Sequence, residues 1–314
     1  MSTTCGSTGL NARIAYDGSA SADISNFTSA DYAFALTGST SLSYRQAVVN
    51  NQGTSGDTNQ ASEMSRAGLE IVEGNVSHLL SPELLEWAGP YITGRAYSSD
   101  VTYPAAAAPD SFHALLHRDE RIYLYGDLKV NTMTISASSG EPVTCQLGLI
   151  GETRSTLADT SWPADLDVDR TVPYMFHDCA ITIGGSSYIF RSFTLTHNNN
   201  LAPRYFGSTT PCDVYRAGLS ETTLQLVGPH TSTTVTDLLE ASAAPNVQNI
   251  VMTFTHTSGS MSTVFRMQGA QVNPQDPQIP GAGEILLDLT YTCRTVDGGA
   301  SDGAAIILTN DSTP

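Results

Sequence analysis

Apolar and polar side chains alternate with a period of two over much of the chain. That is the pattern of strands with one face in a core and the other in water. The clearest run sets Ile285, Leu287, Leu289, Tyr291 and Cys293 against Glu284, Asp288, Thr290, Thr292 and Arg294. Val143, Cys145, Leu147 and Leu149 repeat it, as do Ile181 and Ile183. Ile189, Arg191, Phe193 and Leu195 fall on one face of a further strand, with Ser192, Thr194 and Thr196 on the other. Residues 304–308 read as a last, wholly buried strand. Between Ile122 and Ile135 the apolar phase changes: Ile122, Leu124, Leu128 and Val130 are even, Met133 and Ile135 odd. A one-residue slip exchanges the two faces of a strand, so a bulge or tight turn is expected at Asn131 and Thr132.

Only two segments predict helix. Ser81 supplies an N-cap, Pro82 a first-turn proline and Glu83 a favourable charge; Leu84, Leu85 and Ala88 follow, and Gly89 with Pro90 should end the helix. Thr234 or Thr236 can cap a second through Asp237, Leu238, Leu239 and Glu240, closed by Pro245. Both are too short to persist unless packed on something. Residues 48–64, 96–111 and 271–283 are long polar or Pro-, Ala- and Gly-rich connections, and residues 1–11 form an N-terminal arm. Long connections without structure of their own tend to be functional. No internal repeat or composition break divides residues 1–314. The fold class expected is mainly β: one domain, a β-sandwich or partial barrel with one or two short flanking helices and long loops.

Composition narrows the function. The 314 residues are 40% apolar, enough for a sizeable core. Thirty-one acidic residues against 14 basic ones give a formal net charge of −17, which argues against tight binding of DNA or RNA. Lys129 is the sole lysine, and such an acidic, lysine-poor surface suits a salty or aggregation-sensitive setting. Neither a secretory leader nor an apolar run of the ~20 residues that span a bilayer is visible, so synthesis and release in a cytoplasm, without a membrane partner, are expected. The five widely spaced cysteines read as buried free thiols.

Candidate chemistry is sparse. His113 and His117 have the i, i+4 spacing of a helical zinc pair, but the glutamate of the zinc-protease motif is missing, and a strand fits the segment equally well. His177, Asp178 and Cys179 supply too few ligands for a zinc site. Asp165, Asp167 and Asp169 imitate the start of a calcium loop, yet Arg170 stands where the turn needs glycine and Phe176 where the bidentate glutamate belongs. Glu83 with Glu86, and Glu284 with Asp288, read more simply as a helix surface and the wet side of a strand than as a glycosidase pair. Asn26, Asn75 and Asn310 match the glycosylation pattern, a weak signal without a secretory route.

One strand ends abruptly. Phe193, Thr194 and Leu195 lead into Asn198, Asn199, Asn200 and Leu201, then Pro203, Tyr205 and Phe206. This resembles a strand ending in the major tail tube proteins of long-tailed bacteriophages and archaeal viruses. Three further pieces match in the same order. The segment from Tyr125, Gly126 and Asp127 through Val130 and Asn131 to Ile135 is similar to their Gly-x-x-Val-Asn strand pair. The helix from Ser81 sits where they carry one after an elongated hairpin, and Pro280, Gly281, Gly283, Glu284 and Ile285 resemble their closing strand. The likeness covers roughly residues 70–310.

The resemblance implies a sandwich-like subunit that forms stacked homohexameric rings. Strands of neighbours would join into one inner barrel, a tube in the virion tail that conducts viral DNA during ejection without binding it. It implies no catalytic residue, metal or cofactor, and as partners the chain itself and the tape-measure, tail terminator and distal tail proteins. Expected contacts are the arm 1–11 and the 48–64 loop between rings, with Asn50, Asn51, Gln52, Asp57 and Asn59. Asn198, Asn199, Asn200, Tyr205 and Phe206 are expected subunit contacts, and strands near 122–149 and 181–197 the barrel. Carboxylates lining the bore would repel phosphate, since at ~0.1 M salt repulsion reaches only ~10 Å. The alternative is a virion adhesin or carbohydrate-binding sandwich presenting Tyr91, Tyr97 and Tyr103. A hydrolase with an unrecognised carboxylate pair ranks third.

Overall fold

The computed structural model describes residues 12–311 apart from 20, 29–30, 39, 51–64, 94–101, 105–108, 119–120, 159–160, 230–246, 258–260, 273–284 and 295–305. The first strands are β1 (Arg13–Asp17), β2 (Tyr32–Ala35), β3 (Ser43–Asn50) and β4 (Ser65–Leu79), followed by helix α1 (Pro82–Thr93). Then come β5 (Thr102–Pro104), β6 (Phe112–Arg118), β7 (Arg121–Ser138), β8 (Thr144–Gly151) and β9 (Thr153–Ala158). The middle holds β10 (Cys179–Ile183), β11 (Ser186–Tyr188), β12 (Ser192–Asn198), β13 (Leu201–Arg204) and β14 (Asp213–Arg216). The last are β15 (Glu221–Pro229), β16 (Gln248–Thr255), β17 (Ser262–Val272), β18 (Leu286–Cys293) and β19 (Ile306–Asp311).

The mainly β class is observed. Seventeen strands join in one antiparallel network, with β13 and β14 a separate pair. The network has three faces. A front sheet runs β3-β4-β8-β7-β12-β15-β18 and a back sheet β11-β10-β16-β17-β19-β5. A side sheet runs β2-β1-β6-β7-β9. Front and back enclose the main core, where Phe193 meets Phe254 at 5.9 Å and Phe254 meets Phe265 at 6.1 Å. Two strands belong to two sheets. β7 passes from side to front, and β17 leaves the back sheet to pair its last residues, Gln271 and Val272, with β18. Gly269, at φ 55°, sits where β17 turns.

The expected bulge in β7 is present: its register against β8 slips between Val130 and Thr132. A second slip was not expected. Asp127 takes φ 53°, opposite a register shift between Phe112 and Ala114 of β6. Ile122 and Leu124 therefore pack into a small separate cluster with Ala15, Phe27, Leu115 and Leu166, while Tyr125, Leu128 and Val130 face the main core. The even-numbered run read as one face is two, because one left-handed residue reverses it.

Several boundaries move. Ser81 Oγ accepts a hydrogen bond from the Leu84 N–H at 3.1 Å, the expected cap. Yet α1 runs through Gly89 and Pro90 to Thr93, because packing outweighs the lost proline N–H: Trp87 stacks on Tyr16 at 3.9 Å and Ile92 is buried. The second expected helix lies outside the described residues. Residues 48–50 belong to β3, 102–104 to β5 and 271–272 to β17, so all three connections are shorter than expected. The last strand is Ile306–Asp311, not 304–308. β12 starts only at Ser192, leaving Ile189 85% exposed rather than on the core face.

Candidate functional site

The hairpin of β3 and β4 outgrows the sheet that carries it. β8 flanks β4 only from Val72 to Leu79, so the stretch from Ser65 toward Val72 projects with β3 alone beside it. Val48 is 69% exposed, Val49 45% and Leu69 51%. Neighbouring strand residues point to opposite sides, so the ribbon is apolar on both faces. A two-stranded ribbon is marginal in water by itself. At its base Glu70 N–H bonds Thr209 O at 2.8 Å, and Tyr205 Oη donates to Glu70 O at 2.7 Å. Arg45 and Glu73 form an ion pair across the strands.

The front sheet also has two open rims among the described residues. β3 pairs only with β4, and the Leu286–Thr290 part of β18 only with β15. Open backbone rows are templates for pairing with another chain.

The asparagine triplet closes the corner between β12 and the β13–β14 hairpin. Asn198 Oδ1 accepts from Asn200 N at 2.8 Å, and Asn200 takes φ 52°, a left-handed turn that asparagine tolerates. Asn199 is buried. Its Nδ2 donates to Ile92 O and Val130 O, both at 3.0 Å, closing the open carbonyl end of α1 and the rim of the β7 bulge together. Its Oδ1 accepts from Arg216 Nη2 at 2.9 Å and from His197 Nε2 at 3.3 Å. The bulge residue Asn131 answers in kind: its carbonyl accepts from Asn199 N at 2.7 Å and its Oδ1 from Leu201 N at 2.8 Å. Burial holds the His197 imidazole down to about 4, so it stays neutral.

Asn50 pairs with Ser65 at the ribbon's described end. Asn51, Gln52, Asp57, Asn59 and the arm 1–11 lie outside the described residues. Tyr205 is half-buried on the ribbon's base and Phe206 is 72% exposed, with Arg204 over the rings of Phe206 and Tyr215. Sequence reading missed Leu69 and Arg216, and placed Asn131 in a bulge but not as a tie to this corner. Leu69 alone left a signal, an apolar residue in a stretch where Arg66, Ala67, Gly68 and Glu70 give no core phase to join.

The other candidates come out plainly. His113 and His117 lie on strand β6, where four residues span about 13 Å. Asp169 Oδ1 accepts from Thr171 N at 3.0 Å and Thr171 Oγ1 at 2.8 Å. Among the described residues no group of three or more His, Cys, Asp or Glu is placed to hold a metal ion. Both Asp288 oxygens accept from Gln225 Nε2, at 3.1 and 3.0 Å. Of the described cysteines, Cys145 and Cys293 are buried thiols, but Cys212 is exposed, contrary to expectation, because it lies in the loop entering β14. No helix among the described residues is long and apolar enough to cross a membrane.

A family model described as phage tail tube protein matches residues 12–293. No curated protein matches the chain.

Proposed function

The chain belongs to the phage tail tube protein family, and from that membership we propose how its copies assemble. Copies join rim to rim through the front sheet into homohexameric rings, and the rings stack into a tube that conducts viral DNA during ejection. The whole chain acts as one unit, assembled in the host cytoplasm, with the tape-measure, terminator and distal tail proteins as partners at the core and ends of the tube. No step of this work calls for catalysis.

The observation that supports it most is the projecting ribbon with Val48, Val49 and Leu69 in water. Fully burying each contributes about 1.5–3 kcal/mol. The three together only match the low end of the roughly 4–15 kcal/mol lost on association, so the ribbon alone does not hold rings together. Backbone pairing at the two rims supplies further contact within a ring, and closure lets many weak ribbon contacts between rings act together. Asn50, Asn51, Gln52, Asp57 and Asn59 at and beyond the ribbon's end, with the arm 1–11, reach the next ring. Asn198, Asn200, Tyr205 and Phe206 border the same contact, and Asn199 serves it by holding the corner.

Electron microscopy and sedimentation of purified chain test this. Wild-type protein is expected to give rings and tubes. The Val48→Asp, Leu69→Asp variant should keep its thermal transition within a few degrees, since both residues are exposed, yet fail to stack. Wild-type chain that stays monomeric at high concentration with tail partners added, or a double variant that builds normal tubes, rules the arrangement out.

A further inference from the structure

The water-facing side of the front sheet carries an unusual surface. Cross-strand registers place Ser77, Gln146, Thr134, Thr196, Thr223 and Thr292 in one row across β4, β8, β7, β12, β15 and β18. The next row is Thr144, Ser136, Thr194, Gln225 and Thr290. All of these are exposed or half-exposed, whereas Val76, Leu147, Met133, Leu195, Leu224 and Tyr291 between them are buried. A water-facing surface carries about 25–35% charged residues, so roughly three belong among these positions. None is there, in a chain with 31 acidic residues.

Among the described residues, charges on this side stand at its margins: Arg294 follows just past the end of β18, and the strand cations Lys129 and Arg45 are matched. Lys129 Nζ bonds Val214 O at 2.6 Å and lies 3.3 Å from Asp213, and Arg45 is paired with Glu73. Asp288 is engaged by Gln225, and Glu221 ends the sheet. No aromatic ring in the two rows offers a stacking platform for bases.

We infer that this hydroxyl and amide face lines the bore, and that the DNA slides past a neutral, hydrated wall rather than one of carboxylates. The inference rests on the proposed ring assembly. Joining the two open rims carries the same face around the ring. The back sheet, side sheet and α1 all pack on the opposite side of the front sheet, and a closed ring has more room outside than inside. The β13–β14 hairpin covers only the ribbon end of the face, over Ile150 and Ile71. Without a free cation in its rows the wall releases no counterions from DNA, so it gives the duplex no salt-dependent hold.

The test uses assembled tubes of the full chain with Cys5 and Cys212 changed to Ser. Thr196→Cys is compared with Asn249→Cys, which is exposed on β16 of the back sheet. In tubes, the thiol introduced at 196 should react with a small maleimide but not with one on a polymer too wide for the bore. The thiol at 249 should react with both. Equal reaction of the wide reagent at both positions overturns the inference and leaves the tube intact as a reading; absence of tubes overturns both. A second arm reads the wall's neutrality. Wild-type tubes should retain a short duplex no better at 50 mM than at 200 mM salt. Thr196→Lys tubes engaging about six phosphates should lose roughly 10³-fold in retention over that range. Salt-sensitive retention by wild-type tubes, or none by the lysine variant, refutes the neutral wall.

Discussion

At the scale of single residues, Asn199 does more than any other polar side chain. It ties together a helix end, a bulge, Arg216 and His197 in a place water does not reach. Removing it takes the side-chain donor from two buried carbonyls, and each unsatisfied buried group costs about 1–3 kcal/mol. Asn199→Ala should therefore lower unfolding stability by roughly 3 kcal/mol or more in urea titrations. Asn200→Ala should cost less, about 1–2 kcal/mol from the strain of a left-handed alanine and the loss of the exposed Nδ2 bond to Leu219 O, and Asn200→Gly, free of the strain, less still. Equal losses at 199 and 200 would mean that the corner is held elsewhere. Three identical letters in the sequence thus hold three jobs: strand end, buried tie and turn.

At the scale of elements, β7 decides the architecture, since among the described strands it is the one that pairs into both the side and the front sheets. Its two slips keep apolar side chains inward on both parts of a strand that changes sheets. Deleting Asn131 would only close the bulge, because Val130 and Met133 would then stand two apart and both still face inward. Deleting Thr134 from the regular ladder would instead turn Ile135 and Ala137 outward and Ser136 inward. The Thr134 deletion should give insoluble chain with no cooperative thermal transition, whereas Asp127→Gly, at φ 53°, should fold with equal or better stability. The alternation showed the slip at 131 because the residues on each side of it share one core. It hid the slip at 127 because Ile122 and Leu124 are apolar toward a different cluster.

At the scale of the whole molecule, two buried histidines link stability to pH. Burial holds His78 and His197 down to about 4; His78 accepts from Tyr16 Oη at 2.7 Å and donates to Ala35 O at 3.0 Å, while His197 lies among Thr222, Asn199 and Arg216. Above the ordinary value near 6.5 both states are neutral and the contribution is complete. As pH falls from about 6.5 toward 4 only the unfolded chain takes up protons, so stability drops by up to about 1.4 kcal/mol per pH unit for each histidine. Urea titrations should show about 2–3 kcal/mol less stability at pH 5.5 than at pH 7.5. A flat profile over that range would mean that the two rings are hydrated in solution.

The chain's own order of side chains determined the β class, the strand faces, the Ser81 cap and the bulge at Asn131, because each depends on neighbours within a few residues. Periodicity could not tell which of two cores a face meets, nor whether Pro90 ends a helix when Trp87 has Tyr16 to stack on. It equally could not show that Thr134, Thr196, Thr223 and Thr292, from four distant strands, form one row. Such rows exist only once the register between strands is set, and register is fixed by packing between residues far apart in sequence. The ribbon's exposure was decided the same way: Val48 and Leu69 are ordinary strand residues until β8 stops short of them.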